Sequence, residues 1–287
     1  MKNGWTGGQY SIFRALFGSY LALHYAQLLP WGPELFSDRG LLPMPSLSPL
    51  VHLFPNLLAV WDSPFFVQLV LVIAILAAVL FAIGLWDRVA AITLWYFGAC
   101  FLGRNPLIAN PALPYVGWLL LAHAFLPTAP VGSLAARIRR EPNQNWQMPP
   151  AIYLVAWILM SLGYSYSGVM KLGSPSWLDG TALARILSNP LARPGSLRHW
   201  LLALPTPFLK AATWSALGLE VAFAPLSLFR QLRPWIWSAM LSLHIGLFLL
   251  ISFPDLTAGM VLLHLFTFDP AWVVSSKWAS RRAVPAT

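Results

Sequence analysis

The segment from Pro64 to Trp86 is the strongest single indication of the fold, because Gln68 is its only strongly polar side chain. A helix needs about 20 mainly apolar residues to cross the hydrocarbon core of a bilayer. Hydrophobic residues make up 58% of the chain and charged residues 9%, whereas roughly 25% of the residues of an ordinary soluble domain are charged. The sequence therefore excludes a cytosolic globular protein and predicts an integral membrane protein.

Seven further apolar segments have or approach the length of a membrane span: 10–29, 88–104, 111–127, 149–171, 207–229, 234–253 and 256–272. With the first segment they predict an all-α fold, a polytopic bundle of about eight transmembrane helices. Residues 172–206 carry Trp177, Trp200 and three arginines among apolar residues at helical spacing, which predicts one or two amphipathic helices in the membrane interface. Because no internal repeat and no soluble domain is visible, we expect residues 1–287 to form a single transmembrane domain.

The net charge of +9 comes from 18 Lys and Arg residues that lie dispersed between the apolar segments and form no dense basic patch. This distribution argues against a nucleic-acid partner and makes the basic residues topology signals, because positively charged loops stay in the cytoplasm. With eight spans and an inner N-terminus, ten basic residues lie inside (Lys2, Arg88, Arg137, Arg139, Arg140, Arg230, Arg233, Lys277, Arg281, Arg282) and five outside (Arg39, Arg104, Arg185, Arg193, Arg198). We therefore expect a multi-pass protein of the inner (plasma) membrane with both termini in the cytoplasm.

Lys171 closes the fifth predicted span and is the first candidate for a functional residue. An ionisable side chain within a span costs about 2.5–3.5 kcal/mol, so each one requires an explanation. Tyr164, Gly168 and Lys171 are spaced by four and three residues and share one helix face. An apolar pocket beside a tyrosine favours the neutral amine, which can act as a base. The alternative is an interfacial anchor whose ammonium group reaches the water.

Other polar residues within the predicted spans carry weaker signals. His244 lies in the middle of the seventh span and is either a catalytic group or a hydrogen-bonded core residue. Glu220 needs a cation if it is ionised, and both Arg14 and Lys171 are available. Arg14, Glu220 and Asn110 are thus candidates for a polar pocket or an ion pair. We expect His24, His123 and His264 to be core or interfacial residues, and no metal site, because no two histidines have i,i+3 or i,i+4 spacing.

The sequence of residues 167–180, Ser-Gly-Val-Met-Lys-Leu-Gly-Ser-Pro-Ser-Trp-Leu-Asp-Gly, resembles the vitamin K-dependent γ-glutamyl carboxylase family. It is similar to the bacterial members grouped as HTTM (horizontally transferred transmembrane) domain proteins, in which Gly-x-x-Lys-Leu precedes Trp-x-x-Gly. Three further segments agree in order: Phe-Arg-Ala-Leu-Phe-Gly from residue 13, Gly-Leu-Trp-Asp-Arg from residue 84 and Leu-Ser-Leu-His-Ile-Gly from residue 241. The resemblance covers about residues 10–272.

The resemblance implies a lyase-type membrane enzyme in which Lys171 is the catalytic base. The base deprotonates a reduced menaquinone or vitamin K-type hydroquinone, which reacts with O2 and leaves as its epoxide, without a metal. In the family this reaction drives carboxylation of a peptide glutamate, so a secreted peptide is a candidate second substrate. The resemblance also implies that the quinone ring lies near Lys171, Tyr164 and Trp177, with His244 as a second catalytic candidate. It implies a site on the extracytoplasmic side.

Two departures from the family pattern weaken the expectation of glutamate carboxylation. Ala112 lies near the position of a catalytically important histidine, and the chain ends soon after the last predicted helix, where the carboxylases continue into a large lumenal domain. A non-catalytic membrane scaffold or maturation factor for a secreted peptide is one alternative. A small-molecule transporter is another, although the sequence shows no repeated half of the kind common in transporters.

Overall fold

The computed structural model describes residues 3–140 and 143–273. Four residues of the charge count, Lys2, Lys277, Arg281 and Arg282, lie outside this part of the chain. The described residues form α-helices, short 3-10 turns and isolated bridges, and no strand occurs among them, so the all-α prediction is confirmed. Their internal contacts define two compact units, one before and one from Pro150 onward, which in the described part of the chain comprise residues 3–140 with 143–149, and residues 150–273.

The first unit contains seven α-helices within its described residues, of which four are long: α1 (Gly7–Leu28), α2 (Gly32–Phe36), α3 (Leu57–Val60), α4 (Pro64–Ile83), α5 (Asp87–Arg104), α6 (Leu113–Ala124) and α7 (Leu134–Arg139). Helix α4 packs against both α1 and α5, and α5 also packs against α6. The core of this unit is aromatic and aliphatic, with Phe17, Phe81, Leu94 and Phe101 almost fully buried.

The second unit contains seven helices in its described residues: α8 (Pro150–Lys171), α9 (Pro175–Leu178), α10 (Ala182–Ser188), α11 (Ser196–Leu202), α12 (Thr206–Ser227), α13 (Arg233–Leu250) and α14 (Pro254–Thr267). Helix α8 packs against α12 and α14, and α13 packs against α12 and α14. Helices α8 and α12 are in tight contact at Gly168, where a Cβ atom would lie 2.6 Å from the backbone nitrogen of Val221. Only glycine fits here.

Each of the eight predicted spans coincides with one helix of the structure over most of its length. Helices α1, α8 and α12 have 22 residues, α4 has 20, α5 and α13 have 18, α14 has 14 and α6 has 12. Two of them, Pro64–Ile83 and Pro150–Lys171, are long and apolar enough to cross a membrane by length and composition. Eight crossings are therefore a proposal.

Two loops differ in detail from the sequence-based expectations. Arg104, counted among the outward-facing loop charges, is fully buried, and its guanidinium donates to the carbonyls of Ser37 and Leu42 and to the Asp62 carboxylate at 3.0, 2.6 and 3.1 Å. It therefore anchors the polypeptide between α2 and α4. The loop 172–206 folds into three short helices, where the sequence predicted one or two. Leu187 is fully buried there and Leu178 is 56% exposed.

Candidate functional site

Lys171 and Glu220 form an ion pair between α8 and α12. The Lys171 Nζ atom lies 2.5 Å from each carboxylate oxygen of Glu220. The Ser167 hydroxyl, one turn earlier on α8, donates to Glu220 Oε2 over 3.2 Å. The Glu220 side chain is 8% exposed and the Lys171 side chain 26% exposed. The sequence favoured an amine in an apolar pocket, whereas the structure gives this amine a carboxylate partner, and each group of the pair offsets the desolvation of the other.

Trp177 forms the aromatic wall of this site. The backbone turns immediately after Lys171, where the Ser174 N–H donates to the Lys171 carbonyl over 3.0 Å, and Pro175 then begins α9. This turn places the Trp177 ring 4.6 Å from the Lys171 ammonium, measured to the ring centroid. A cation over an aromatic face is attracted by the quadrupole of the ring. Lys171 and Trp177, both predicted for the site, therefore lie in contact.

The turn after α9 is fixed by its own hydrogen bonds. The Asp179 carboxylate accepts from the hydroxyl and the backbone N–H of Thr181, at 2.6 and 2.8 Å. These two bonds hold the pKa of the exposed Asp179 carboxyl below its usual value. Gly180 follows with a φ of +81°, in the left-handed region that favours glycine. The Trp-x-x-Gly motif thus ends α9 and sets the direction of the loop.

Tyr164, on the helix that carries Lys171, joins two histidines in a buried cluster. Its hydroxyl lies 2.7 Å from His244 Nε2 and 3.4 Å from His264 Nδ1. His264 Nδ1 is also 2.9 Å from the Met260 carbonyl, so in the neutral ring this nitrogen carries the proton and Nε2 is an acceptor. Among the described residues, His244 Nδ1 and His264 Nε2 are buried nitrogens without a hydrogen-bond partner. His264 was not predicted for a site.

Arg14 belongs to a separate polar cluster within the first unit. Its Nη1 atom lies 3.5 Å from Asp87 Oδ2, and His123 Nε2 lies 3.4 Å from the same oxygen. The Tyr10 hydroxyl is hydrogen-bonded to His123 Nδ1. Arg14 thus pairs with Asp87, while the partner of Glu220 is Lys171. This cluster fixes the start of α5 against α1.

Asn110 has a local structural contact. Its side-chain oxygen accepts from the backbone N–H of Ala112 over 2.9 Å, and its carbonyl accepts from Leu113 N–H at the start of α6. Ala112 is 1% exposed. We therefore assign Asn110 to the turn that precedes α6.

No family model, no curated protein and no solved structure matches this chain. The resemblance to the carboxylases therefore stays a prediction from the sequence, and the function has to be argued from the site. In chemical terms the second unit combines an ion pair, an aromatic wall and a tyrosine–histidine cluster. Ionisable groups of this kind between apolar helices are suited to proton transfer.

Proposed function

We propose that the chain is an integral membrane enzyme that oxidises a reduced isoprenoid naphthoquinone with O2, using the Lys171–Glu220 pair as its acid–base group. The observation that carries the proposal is the pair itself. Glu220 lies well inside α12, and an ionised side chain at the centre of a membrane helix costs about 2.5–3.5 kcal/mol. A structure that only had to fold would gain as much from two apolar residues at these positions.

The exposed apolar surfaces of six long helices support the proposed bundle of membrane-crossing helices. Large apolar side chains that are more than half exposed lie on each of them: Ile12 on α1 (65%), Phe65 on α4 (75%), Val89 on α5 (66%), Leu162 on α8 (59%), Phe208 on α12 (64%) and Leu249 on α13 (55%). Soluble proteins seldom expose large contiguous apolar patches. In a bilayer the acyl chains cover these side chains, so the exposed leucines and phenylalanines stabilise the inserted protein.

The contacts in the site give each partner of the pair a role. Glu220 is the group that accepts the proton from the hydroquinone hydroxyl, because its carboxylate carries the negative charge of the pair. Lys171 stays cationic and stabilises the negative charge left on the substrate oxygen. The sequence suggested Lys171 as the base, whereas in this proposal Glu220 is the base and Lys171 its electrostatic partner. The overall reaction balances as hydroquinone plus O2 giving quinone epoxide and water.

Tyr164, His244 and His264 add a buried polar cluster to the unit that holds the pair. Tyr164 and Lys171 lie on one helix, and the tyrosine hydroxyl contacts both imidazoles. In the proposed enzyme these contacts fix the Tyr164 hydroxyl on the helix that carries Lys171.

The proposal stops at the quinone reaction. Ala112 carries no acid–base group where the carboxylases have a histidine, so the chain lacks the residue that the resemblance assigns to the carboxylation half. Glutamate carboxylation of a secreted peptide therefore stays a prediction from the sequence alone.

The test is to reconstitute the full chain in liposomes with reduced menaquinone and O2, and to quantify the quinone epoxide. Spontaneous oxidation gives the quinone, so the epoxide is specific for the enzyme. We expect Lys171→Ala and Glu220→Gln to lower epoxide formation by about 100-fold or more, the usual contribution of an acid–base group. Lys210→Ala, near the start of α12, is the matched control and should keep wild-type activity.

Two results would overturn the proposal: no epoxide from the wild-type chain, or equal rates for wild type and Lys171→Ala. Either result would favour the scaffold alternative, in which loop 172–206 binds a partner. Substrate-dependent flux into the liposomes would favour the transporter alternative.

A further inference from the structure

A second candidate site is a cavity within the first unit, lined by residues of α1, α5 and α6. Its volume is about 400 Å³. Ligand pockets in proteins have volumes of about 300–1,000 Å³ and mostly apolar walls. Gly98 on α5 and Gly117 on α6 line the cavity, and the absence of side chains there helps to keep it open.

The residues that line this cavity select against charged molecules. None of them is Asp, Glu, Lys or Arg. A phosphate or ammonium head group inside the cavity would lose its hydration without gaining an ionic partner, which costs several kcal/mol. Water is also a poor occupant, because a buried water molecule needs two to four polar partners and most of this wall is aliphatic or aromatic. The occupant is therefore neutral and largely apolar.

The aromatic residues of the wall indicate a planar ring. Trp95 and Trp118 line the cavity together with Tyr20, His24 and Tyr25. Flat aromatic side chains gain specific stacking energy against another ring, in addition to the area that they bury. Tyr20 and His24 are one helical turn apart on α1, with their ring centroids 6.0 Å apart, so both polar residues line the α1 side of the cavity.

We propose that this cavity binds one neutral membrane lipid that carries a planar, oxygen-bearing ring on an apolar tail. The ring lies among the aromatic side chains, its oxygen is hydrogen-bonded by Tyr20 or His24, and the tail contacts the aliphatic part of the wall. This inference does not depend on the proposed function, because all its residues belong to the unit that lacks Lys171 and no reaction is assigned to the cavity.

The experiment uses the full chain in phospholipid nanodiscs and a photoreactive azidobenzoquinone with an isoprenoid tail. We expect cross-links in peptides of α1, α5 and α6. Gly117→Leu should lower the labelling about tenfold or more, because its side chain fills the cavity. The Cβ atom itself has room, since the nearest Trp95 atom would be 3.7 Å away. Gly246→Leu on α13, where no atom lies within 4 Å of the added Cβ, is the matched control and should label like wild type.

Both replacements improve helix propensity, so neither should weaken its helix. The thermal unfolding temperature of each variant shows whether a loss of labelling comes from a loss of folding. The proposal is wrong if Gly117→Leu is folded and labels like wild type. It is also wrong if a ring-free isoprenoid hydrocarbon competes as well as the unlabelled quinone, because the site would then recognise only chains. Lys171→Ala should label normally, and this separates the outcome from the epoxide assay.

Discussion

Lys171 is held on two sides, by the Glu220 carboxylate and by the Trp177 ring. The two charges neutralise each other in a place where water reaches only part of the lysine. Such a pair contributes little net stability compared with two apolar side chains, yet the loss of one partner leaves the other charge without compensation. The pair is therefore expected to show a strong energetic coupling, which is measurable apart from any activity.

A double-mutant cycle measures this coupling. Lys171→Met should lower the free energy of unfolding by about 2 kcal/mol, less than for a fully buried pair because the lysine is partly exposed. The double variant Lys171→Met/Glu220→Leu should recover most of that loss while still lacking the epoxide activity. Thermal unfolding in detergent provides the measurement. Additive losses in the double variant would contradict a coupled pair.

The sequence predicted several site residues individually but not all of their contacts. Lys171 and Tyr164 share a helix, so their common face followed from their spacing. The partner of Glu220 stayed open between Arg14 and Lys171, because no sequence rule tells which helix lies beside α12. His264 was assigned to the core for the same reason: it meets His244 across two helices, and contacts between helices leave no spacing signal.

At the scale of secondary structure, Pro225 interrupts the hydrogen bonds of α12 near its end. Proline has no N–H, so the Val221 carbonyl one turn earlier lacks its intrahelical donor. The Ser165 hydroxyl on α8 donates to this carbonyl over 3.0 Å, and the Ser165 Oγ atom accepts from the Ala224 N–H over 2.9 Å. One serine of the neighbouring helix thus supplies the hydrogen bond that the proline removes from the backbone of α12.

Removing this hydroxyl should be costly only while the proline is present. Ser165→Ala leaves the Val221 carbonyl unpaired, and we expect a loss of about 1–3 kcal/mol in the free energy of unfolding. In the background of Pro225→Ala, which restores the missing N–H, the same replacement should cost clearly less. Chemical or thermal unfolding of the four proteins in detergent tests this difference. An equal cost of Ser165→Ala in both backgrounds would show that the proline is not the reason for the contact.

The positions of the helices were predictable, whereas some of their ends were not. Hydropathy predicted a span over 111–127, but α6 ends at Ala124 because Pro127 follows and restricts the residue before it. The span predicted over 256–272 contains a helix that ends at Thr267, shortly before Pro270. Hydropathy averaged over a window of residues does not register that a proline lacks an N–H, nor how a helix end is capped.

For the whole molecule, the main untested prediction is the orientation in the membrane. Ten basic residues inside and five outside predict that the segment between α6 and α8 is cytoplasmic and that the segment between α8 and α12 is extracytoplasmic. The count includes residues that lie beyond the described part of the chain, so it rests on the sequence. The single-domain prediction likewise stays a prediction beside the two compact units.

Cysteine labelling tests this orientation, because Cys100 is the only cysteine and is buried. In a Cys100→Ser background, Arg185→Cys should react with a membrane-impermeant maleimide in intact cells. Arg137→Cys should react only after the membrane is opened. Cys100→Ser alone, which carries no thiol, is the control. Reaction of both introduced cysteines from the outside would contradict the eight-helix topology, and the reversed pattern would contradict its orientation.

The position of Glu220 within α12 has a consequence for how the protein is made. In the proposed eight-helix bundle, synthesis delivers Lys171 to the translocon first, 49 positions ahead of its partner. A glutamate that entered the lipid alone would have to be protonated or to remain hydrated. A glutamate that pairs with the Lys171 ammonium group needs neither. We therefore expect α8 to stay at the lateral gate until α12 arrives, so that the two helices leave for the bilayer together.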